Sequence, residues 1–425
     1  MFQQKRLDKI IMLCVYIYIV WMFFYGIIIK FTIENSFLFV IKTYISDIML
    51  VLIISLCFIK KKSITKDQFV FFSFILFAIT INLIVHGTSQ DSISGLLYTI
   101  RGFIAPMVAG YHLCASAIDR EVIDTFFKRM FILSIIFLIG NMILSILQAQ
   151  NGYMWAGKFY TGYSFYGKDQ YSRIRITMAS GLLRAPGLPG SFTSSAMYSL
   201  ISMALILAVG KNRLLKVITV LMAFIGIWLT YNKTVLVLFA IILIMHLFSK
   251  MPHSFRCIIF LVMGALLLFA FILVTTKMGI GVDESDLTFS TLARVEFWLS
   301  IQEFVSPLEM LVPYNMFKYT AVGEGMLACW DNFYLYALFS FGIVGLYYFF
   351  KFSIKMVKEN ILKKSIFSNF YIYLAIMFYL AAIFNNVSNG KSFFGIFSLL
   401  NAIVWKNNKN TICEDKDAGC SINYC

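Results

Sequence analysis

Three arginines lie within twelve residues of a largely apolar chain, namely Arg173, Arg175 and Arg184 in RIRITMASGLLRAPGLPGS. Arg173 and Arg175 share one face if this stretch is extended, because side chains alternate with a period of two in a strand. A planar guanidinium donates two parallel hydrogen bonds to a phosphate, so these residues predict a site for a phosphate or diphosphate. The alternative is that the three arginines only contact lipid head groups.

The residues after Arg184 predict a rigid turn that leads into the next apolar segment. Pro186 and Pro189 restrict the backbone, whereas Gly187 and Gly190 permit it to turn tightly. The arginine is therefore expected to stand at a fixed place beside the membrane.

Two further cations occupy unusual positions. Arg101, in LLYTIRGFIAPMV, falls inside an apolar segment, where an ionisable residue by default indicates a functional site, so it is predicted to contact substrate. Pro106 could kink that segment and open space beside Arg101. Asp47 is a candidate ion-pair partner, and a purely structural pairing with it is the alternative. Lys233, in LTYNKTVLVLF, lies at a short break between two apolar segments and is predicted to contact substrate.

Acidic and aromatic residues accumulate between positions 276 and 332. Arg294 and Glu296 belong to STLARVEFWLSIQEF (290–304), whose apolar residues recur at helical spacing and predict an amphipathic helix on the outer face. Asp331 and Asn332 begin the last part of this region, at the mouth of an apolar segment. Carboxylates accept hydrogen bonds from sugar hydroxyls and aromatic rings stack on sugars, so a carbohydrate substrate is predicted, with Glu296 and Asn332 among the residues that contact it.

The elements that must hold these residues are predicted to be transmembrane helices. The 425 residues are 60% hydrophobic and only 13% charged, against about 25% charged residues in soluble domains. The predicted fold is an all-α polytopic membrane protein, with residues 1–425 as a single integral membrane domain. Twelve apolar segments fit the length of a membrane span, at 10–29, 38–59, 68–86, 94–117, 130–148, 191–209, 214–230, 234–249, 257–275, 331–350, 366–386 and 391–405.

The distribution of lysine and arginine predicts the topology. Most of them, including Lys60, Lys61 and Lys62, lie in the breaks that share a side with both termini, which is the cytoplasmic side by the positive-inside rule. The net charge of +15 thus reflects topology, and no nucleic-acid partner is expected. Two long segments, 149–190 and 276–330, are predicted to be periplasmic loops containing short amphipathic helices, and 406–425 a cytoplasmic tail.

Neither a metal nor a cofactor is predicted. Cys413, Cys420 and Cys425 in the tail match zinc-site spacing only weakly. The outer segments contain no HExxH, P-loop, GxSxG or DxD motif, so neither a nucleotide-sugar donor nor ATP is expected.

The order of these pieces resembles a known family. An arginine-rich outer loop ending in a Gly/Pro turn is followed by LTYNKTVLVLF, ARVEFWLSIQEF and DNFYLYALFSFGIVGLYYFF, within residues 173–350. This order is similar to the O-antigen polymerase (Wzy-type) branch of the O-antigen polymerase and ligase superfamily. The resemblance implies a GT-C-like membrane fold and a metal-independent, inverting glycosyltransferase in the bacterial inner membrane. Its active site would face the periplasm.

The resemblance also implies substrates and residue roles. Such enzymes move a growing glycan from undecaprenyl diphosphate onto a new lipid-linked repeat unit, with a chain-length regulator as a candidate partner. Arg184 stands where the family keeps an arginine before its Gly-rich turn, Lys233 where a Ser-Arg pair is common, and Arg294 where an arginine precedes a tryptophan. Asp331 replaces a histidine of the ligase branch, and its two candidate roles are catalytic base and orienter of an arginine.

Two other functions stay open at this point. A ligase is a sister activity of the same superfamily, and the replacement of its histidine by Asp331 argues against it. A flippase for the lipid-linked repeat unit would also have about twelve spans, but its charges would line a central cavity. Few ionisable residues besides Asp47 and Arg101 lie inside the apolar segments, so the polymerase is favoured.

Overall fold

The computed structural model describes residues 2–32, 36–61, 65–87, 90–159, 178–179, 182–249, 307–311, 332–362, 367–384 and 393–404. These residues are almost entirely helical. The two strands among them, β1 (Met178–Ala179) and β2 (Leu182–Leu183), form a minimal antiparallel hairpin. The helices are α1 (Phe2–Phe23), α2 (Tyr25–Thr32), α3 (Ser36–Lys61), α4 (Lys66–His86), α5 (Gln90–Thr99), α6 (Ala105–Ser116), α7 (Arg120–Gly157), α8 (Phe192–Val209), α9 (Arg213–Trp228), α10 (Lys233–Leu247), α11 (Pro307–Leu311), α12 (Phe333–Leu362), α13 (Ser368–Phe384) and α14 (Phe393–Ala402).

Several helices are suited to a membrane. Four of the described helices, α4, α7, α8 and α12, are long and apolar enough to cross one, and α1 with α2 makes a fifth if the pair is one span bent by 66°. The molecule is thus consistent with a multi-pass all-α membrane protein. The predicted total of twelve spans is not confirmed. Helices α10, α13 and α14 are apolar but shorter than the roughly 20 residues that cross the hydrocarbon core, and span 257–275 lies outside the described residues.

Five chain segments meet at one end of the bundle. Lys60, at the end of α3, forms a 2.5 Å ion pair with Asp8 of α1 and donates to the carbonyl of Ala117, which follows α6. Asp8 also accepts from the backbone amide of Asp119, at the start of α7. The amide of Ile118 donates to the carbonyl of Val404, so the end of α14 joins the same cluster. These contacts bring both terminal parts of the described chain to one side.

Helix α6 packs closely on both α3 and α14 at the centre of the bundle. Small residues allow the close approach to α14, because a Cβ on Gly110 would lie only 2.1 Å from Ser398 Oγ. Ser398 Oγ donates to the carbonyl of Pro106 at 2.8 Å. Stacked, tilted and edge-to-face ring contacts then connect the segment just before α6 with α12, α13 and α14, through Phe103, Phe333, Phe349, Phe378 and Phe394.

A π-helical turn, Ile100–Ile104, joins α5 to α6 where a kink near Pro106 was predicted. The amide of Ala105 donates to the carbonyl of Ile100, five residues back. Proline cannot donate a backbone hydrogen bond, and a local π turn is one way to accommodate the change in helix register. The turn carries Arg101.

The two predicted outer loops are partly helical where the structure describes them. Helix α7 continues past residue 149 to Gly157, with a break at Gly152, where φ is 77°. Helix α11 packs against the break of α12 at Gly342, because a Cβ there would lie 3.0 Å from the carbonyl oxygen of Met310. The predicted amphipathic helix at 290–304 and the tail 406–425 lie outside the described residues.

Candidate functional site

Arg184 stands between the β1–β2 hairpin and the turn that enters α8. Its guanidinium carbon lies 4.8 Å from the centre of the Phe192 ring, and the residue is half-buried. A cation above an aromatic face is attracted by the quadrupole of the ring. The next residue, Ala185, donates its amide to the carbonyl of Leu229 at the end of α9. Side chain and backbone are therefore both tied to neighbouring helices.

The turn that follows Arg184, residues 185–190, is buried throughout. Two of its backbone amides are bound by side chains of α7. The amide of Gly187 donates to Gln148 Oε1 at 2.8 Å, and that of Leu188 donates to Asn141 Oδ1 at 2.9 Å. A buried backbone amide must find an acceptor, and here two polar side chains of one helix supply it. The predicted rigid turn is present, and it is anchored inside the bundle.

Gly26, in α2, also contacts this turn. Its amide donates to the carbonyl of Leu188 at 2.8 Å. A Cβ on Gly26 would lie 2.4 Å from the backbone nitrogen of Gly190, so only glycine fits without a shift of backbone. Gly26 is the second residue of α2, and the 66° bend between α1 and α2 therefore lies next to its contact with the buried turn.

Asn141 also joins α7 to α8. Its Nδ2 donates to Ser195 Oγ and to Ser199 Oγ, each at 3.0 Å. All three side chains are essentially inaccessible to solvent. Buried polar groups of this kind are costly unless they are hydrogen-bonded, so the cluster specifies how α7, α8 and the turn fit together.

Asn141 and Gln148 were not among the predicted site residues, although the sequence contains a signal for them. Asn141, Ser145 and Gln148 recur at i, i+4 and i+7 along α7, and Ser195, Ser199 and Ser202 repeat that spacing along α8. Polar residues on one face of an otherwise apolar helix indicate a polar interface with a neighbour.

Lys233 is exposed and is the first residue of α10. Asn232 caps this helix by accepting from the amide of Val235 at 3.2 Å. The α9–α10 connection contains Leu229, which accepts the amide of Ala185. The structure thus brings the segments that carry Arg184 and Lys233 together, as a shared site requires.

Arg101 is paired with Asp47, the partner that the sequence suggested. Arg101 Nε donates to Asp47 Oδ2 at 2.6 Å, and a second guanidinium nitrogen contacts the same oxygen. The guanidinium carbon lies 5.1 Å from the centre of the Tyr44 ring. About a quarter of each charged side chain stays exposed. The pair joins the π-helical turn to α3.

Asn332 is a helix cap. Its Oδ1 accepts from the amides of Tyr334 at 3.0 Å and Leu335 at 3.1 Å, which satisfies two free donors at the start of α12. The next residue, Phe333, packs on Phe103, and Phe103 lies two residues after Arg101 in the sequence. The predicted contact of Asn332 with substrate stays a prediction, and its side-chain oxygen already has a structural role.

Five other predicted site residues lie outside the described residues, namely Arg173, Arg175, Arg294, Glu296 and Asp331. Their roles stay predictions. In the part of the chain that the structure describes, no three His, Cys, Asp or Glu side chains are grouped so that they could hold a metal ion.

Comparison of the chain with models of protein families, with curated proteins and with solved structures found no match. The resemblance to the O-antigen polymerase and ligase superfamily therefore rests on the short sequence motifs alone.

Proposed function

We propose that this protein is an O-antigen polymerase. A hydroxyl of a new lipid-linked repeat unit would attack the anomeric carbon of the growing glycan. The bond between that carbon and the diphosphate oxygen would break with inversion, and undecaprenyl diphosphate would leave. The products would be a lipid-linked glycan longer by one repeat unit and the free lipid diphosphate.

The observation that carries the proposal is the anchoring of the turn beside Arg184. Stabilisation of a leaving diphosphate requires a cation that is already in place, because a group that must reorganise during the reaction contributes less. The hydrogen bonds of residues 185–190 to Asn141, Gln148 and Gly26 supply that rigidity. An arginine that only contacted lipid head groups would not need to be held this rigidly.

The other cations are assigned by the same reasoning. Lys233 is exposed beside the Arg184 segment, so it is assigned to the same diphosphate, together with Arg173 and Arg175. Arg101 already has its charge balanced by Asp47, and we assign it to positioning the π-helical turn.

The reacting groups proposed from the resemblance are Asp331 and Arg294. Asp331 would accept the proton of the attacking hydroxyl or orient an arginine. Arg294 would neutralise charge that develops on the leaving group, and Glu296 would accept hydrogen bonds from sugar hydroxyls. Asn332 would contact substrate only through its amide nitrogen.

The proposed setting is the bacterial inner membrane, with both termini cytoplasmic and the site on the periplasmic face. The meeting of Asp8, Lys60, Ile118 and Val404 at one end of the bundle supports a common side for the termini. The expected partners are undecaprenyl-diphosphate-linked oligosaccharide and polysaccharide, membrane lipid and a chain-length regulator.

Deletion of the gene tests the proposal against its rivals. A polymerase mutant should still attach single repeat units to lipopolysaccharide but lose the long-chain ladder on a gel. Loss of all attached repeat units, including single ones, would instead indicate a ligase or a flippase.

Complementation of the deletion strain tests the assigned residue. Arg184→Ala should insert normally but leave single repeat units, and Arg294→Ala should do the same. Arg213→Ala is a matched control, because Arg213 is exposed and lies beyond the opposite end of α8. A normal ladder in the Arg184→Ala strain would contradict the role of that residue.

A further inference from the structure

A cavity of about 430 Å³ lies between the first turns of α1 and α7. It is at the end of the bundle where Asp8, Lys60 and Ala117 meet, opposite the Arg184 turn. Lys5, Lys9, Glu121 and Arg129 provide its charged lining, and Tyr16 and Phe126 contribute aromatic surface. The two rings pack edge to face with their centres 6.5 Å apart.

The charges around this cavity do not cancel. Lys5 is paired with Glu121. Among the described residues, neither Lys9 nor Arg129 forms an ion pair with a carboxylate. Both side chains are exposed. The cavity therefore presents two cations in excess over its one carboxylate–lysine pair and suits an anion.

Apolar side chains continue from each cation toward the middle of the membrane. On α7, Ile132, Ile136 and Ile143 follow Arg129 by three, seven and fourteen residues, so all four lie on one face. On α1, Leu13 and Ile17 follow Lys9 by four and eight residues in the same way.

These five apolar side chains are between 38% and 59% exposed. A small soluble anion would leave these side chains exposed, whereas an acyl chain would cover them. Basic pockets between membrane helices on the cytoplasmic side bind the head groups of anionic lipids.

We infer that this cavity is a binding site for an anionic phospholipid of the leaflet on the side of the chain termini. Lys9 and Arg129 bind the phosphate, Tyr16 and Phe126 lie beneath the glycerol, and the acyl chains follow the exposed faces of α1 and α7. A zwitterionic lipid brings its own cation next to Lys9 and Arg129 and is disfavoured. The inference is independent of the proposed enzymatic function.

Native mass spectrometry of the full chain, purified and delipidated in detergent, measures this site directly. Dioleoyl-phosphatidylglycerol and dioleoyl-phosphatidylcholine are the probes. One phosphatidylglycerol should bind more tightly than phosphatidylcholine. Lys9→Gln and Arg129→Gln should each weaken it about five-fold, since each cation near a lipid surface contributes about 1 kcal/mol.

Arg213→Gln is the matched control, because it removes an equally exposed arginine at the start of another helix, and its affinity should be unchanged. Equal affinity for the two lipids, or an equal loss in Arg213→Gln, would overturn the inference.

Glycerophosphoglycerol and inorganic phosphate test whether the acyl chains matter. If either compound displaced phosphatidylglycerol when present at the same concentration as that lipid, the site would be one for small anions instead. Thermal unfolding of each variant in lipid-free detergent should match the parent protein.

Discussion

The backbone amide of Leu188 donates to Asn141 Oδ1 at 2.9 Å, although the two residues are 47 positions apart in sequence. This bond fixes the turn after Arg184 against α7, and the same asparagine binds Ser195 and Ser199 at the start of α8. One side chain therefore controls where the arginine stands relative to two helices.

Replacement of Asn141 by alanine should destabilise the protein by about 2–4 kcal/mol. The amide of Leu188 would lose its acceptor inside the bundle, and each buried unsatisfied group costs about 1–3 kcal/mol. Unfolding in mixed detergent and SDS micelles measures the change in free energy.

The control is Asn151→Ala, which removes an exposed asparagine of the same helix whose side chain, among the described residues, bonds only to the carbonyl of Leu147. Its free energy of unfolding should change by less than about 0.5 kcal/mol. Equal effects of the two substitutions would mean that Asn141 does not hold the turn.

Gly26→Ala should also disturb the turn, by a different route. The new methyl group would lie 2.4 Å from the nitrogen of Gly190 and 2.8 Å from the carbonyl oxygen of Leu188. Overpacking of this kind costs about 1–3 kcal/mol, and here the neighbour is backbone that cannot swing away. A lower melting temperature is expected.

Gly157→Ala is the matched substitution, since no atom of the described residues lies within 4 Å of the added Cβ. Its melting temperature should stay the same or rise. If Gly26→Ala were as well tolerated as Gly157→Ala, the close packing of α2 on the turn would be refuted.

Two ion pairs at the end of the bundle near the termini should contribute very differently to the stability of the protein. The side chains of Asp8 and Lys60 are 5% and 9% exposed, whereas those of Glu121 and Lys5 are 76% and 42% exposed. Asp8→Asn leaves Lys60 without its counter-charge, which costs about 3–5 kcal/mol for a buried pair. Glu121→Gln should leave the melting temperature nearly unchanged. The opposite order of effects would contradict the described packing of α1 on α3.

The pair formed by Arg101 and Asp47 calls for a double-mutant cycle. Arg101→Leu or Asp47→Leu alone leaves one charge uncompensated among apolar helices and should be destabilising. The double variant should recover about 1–3 kcal/mol relative to the sum of the single changes. It should also retain the long-chain ladder, because Arg101 is assigned to positioning. A folded double variant that attached only single repeat units would instead place Arg101 in the substrate site.

Part of this arrangement could be predicted from residue types alone. A charge inside an apolar segment needs a partner, so Asp47 could be named for Arg101. The alternation of proline and glycine after Arg184 likewise predicted a turn. Asn332 could have been recognised as a cap, because asparagine is among the preferred residues before a helix.

The remainder depends on contacts between distant segments. No local pattern says that Asn141 accepts from Leu188 or that Gly26 packs on Gly190, since these pairs form only when α2, α7 and the turn before α8 come together. The total of twelve spans also stays a prediction. Among the described residues, helices α10 and α14 are apolar but have 15 and 10 residues, fewer than the roughly 20 that cross the hydrocarbon core.

Polymerisation in vitro measures the proposed reaction itself. The protein is purified, reconstituted in vesicles and supplied with the lipid-diphosphate-linked repeat unit extracted from the deletion strain. We expect glycans of two and more repeat units, with one undecaprenyl diphosphate released for each bond formed. For Arg184→Ala we expect at least a ten-fold lower rate, on the order of one lost electrostatic contact. Unchanged single repeat units in the presence of the folded parent protein would contradict the proposed function.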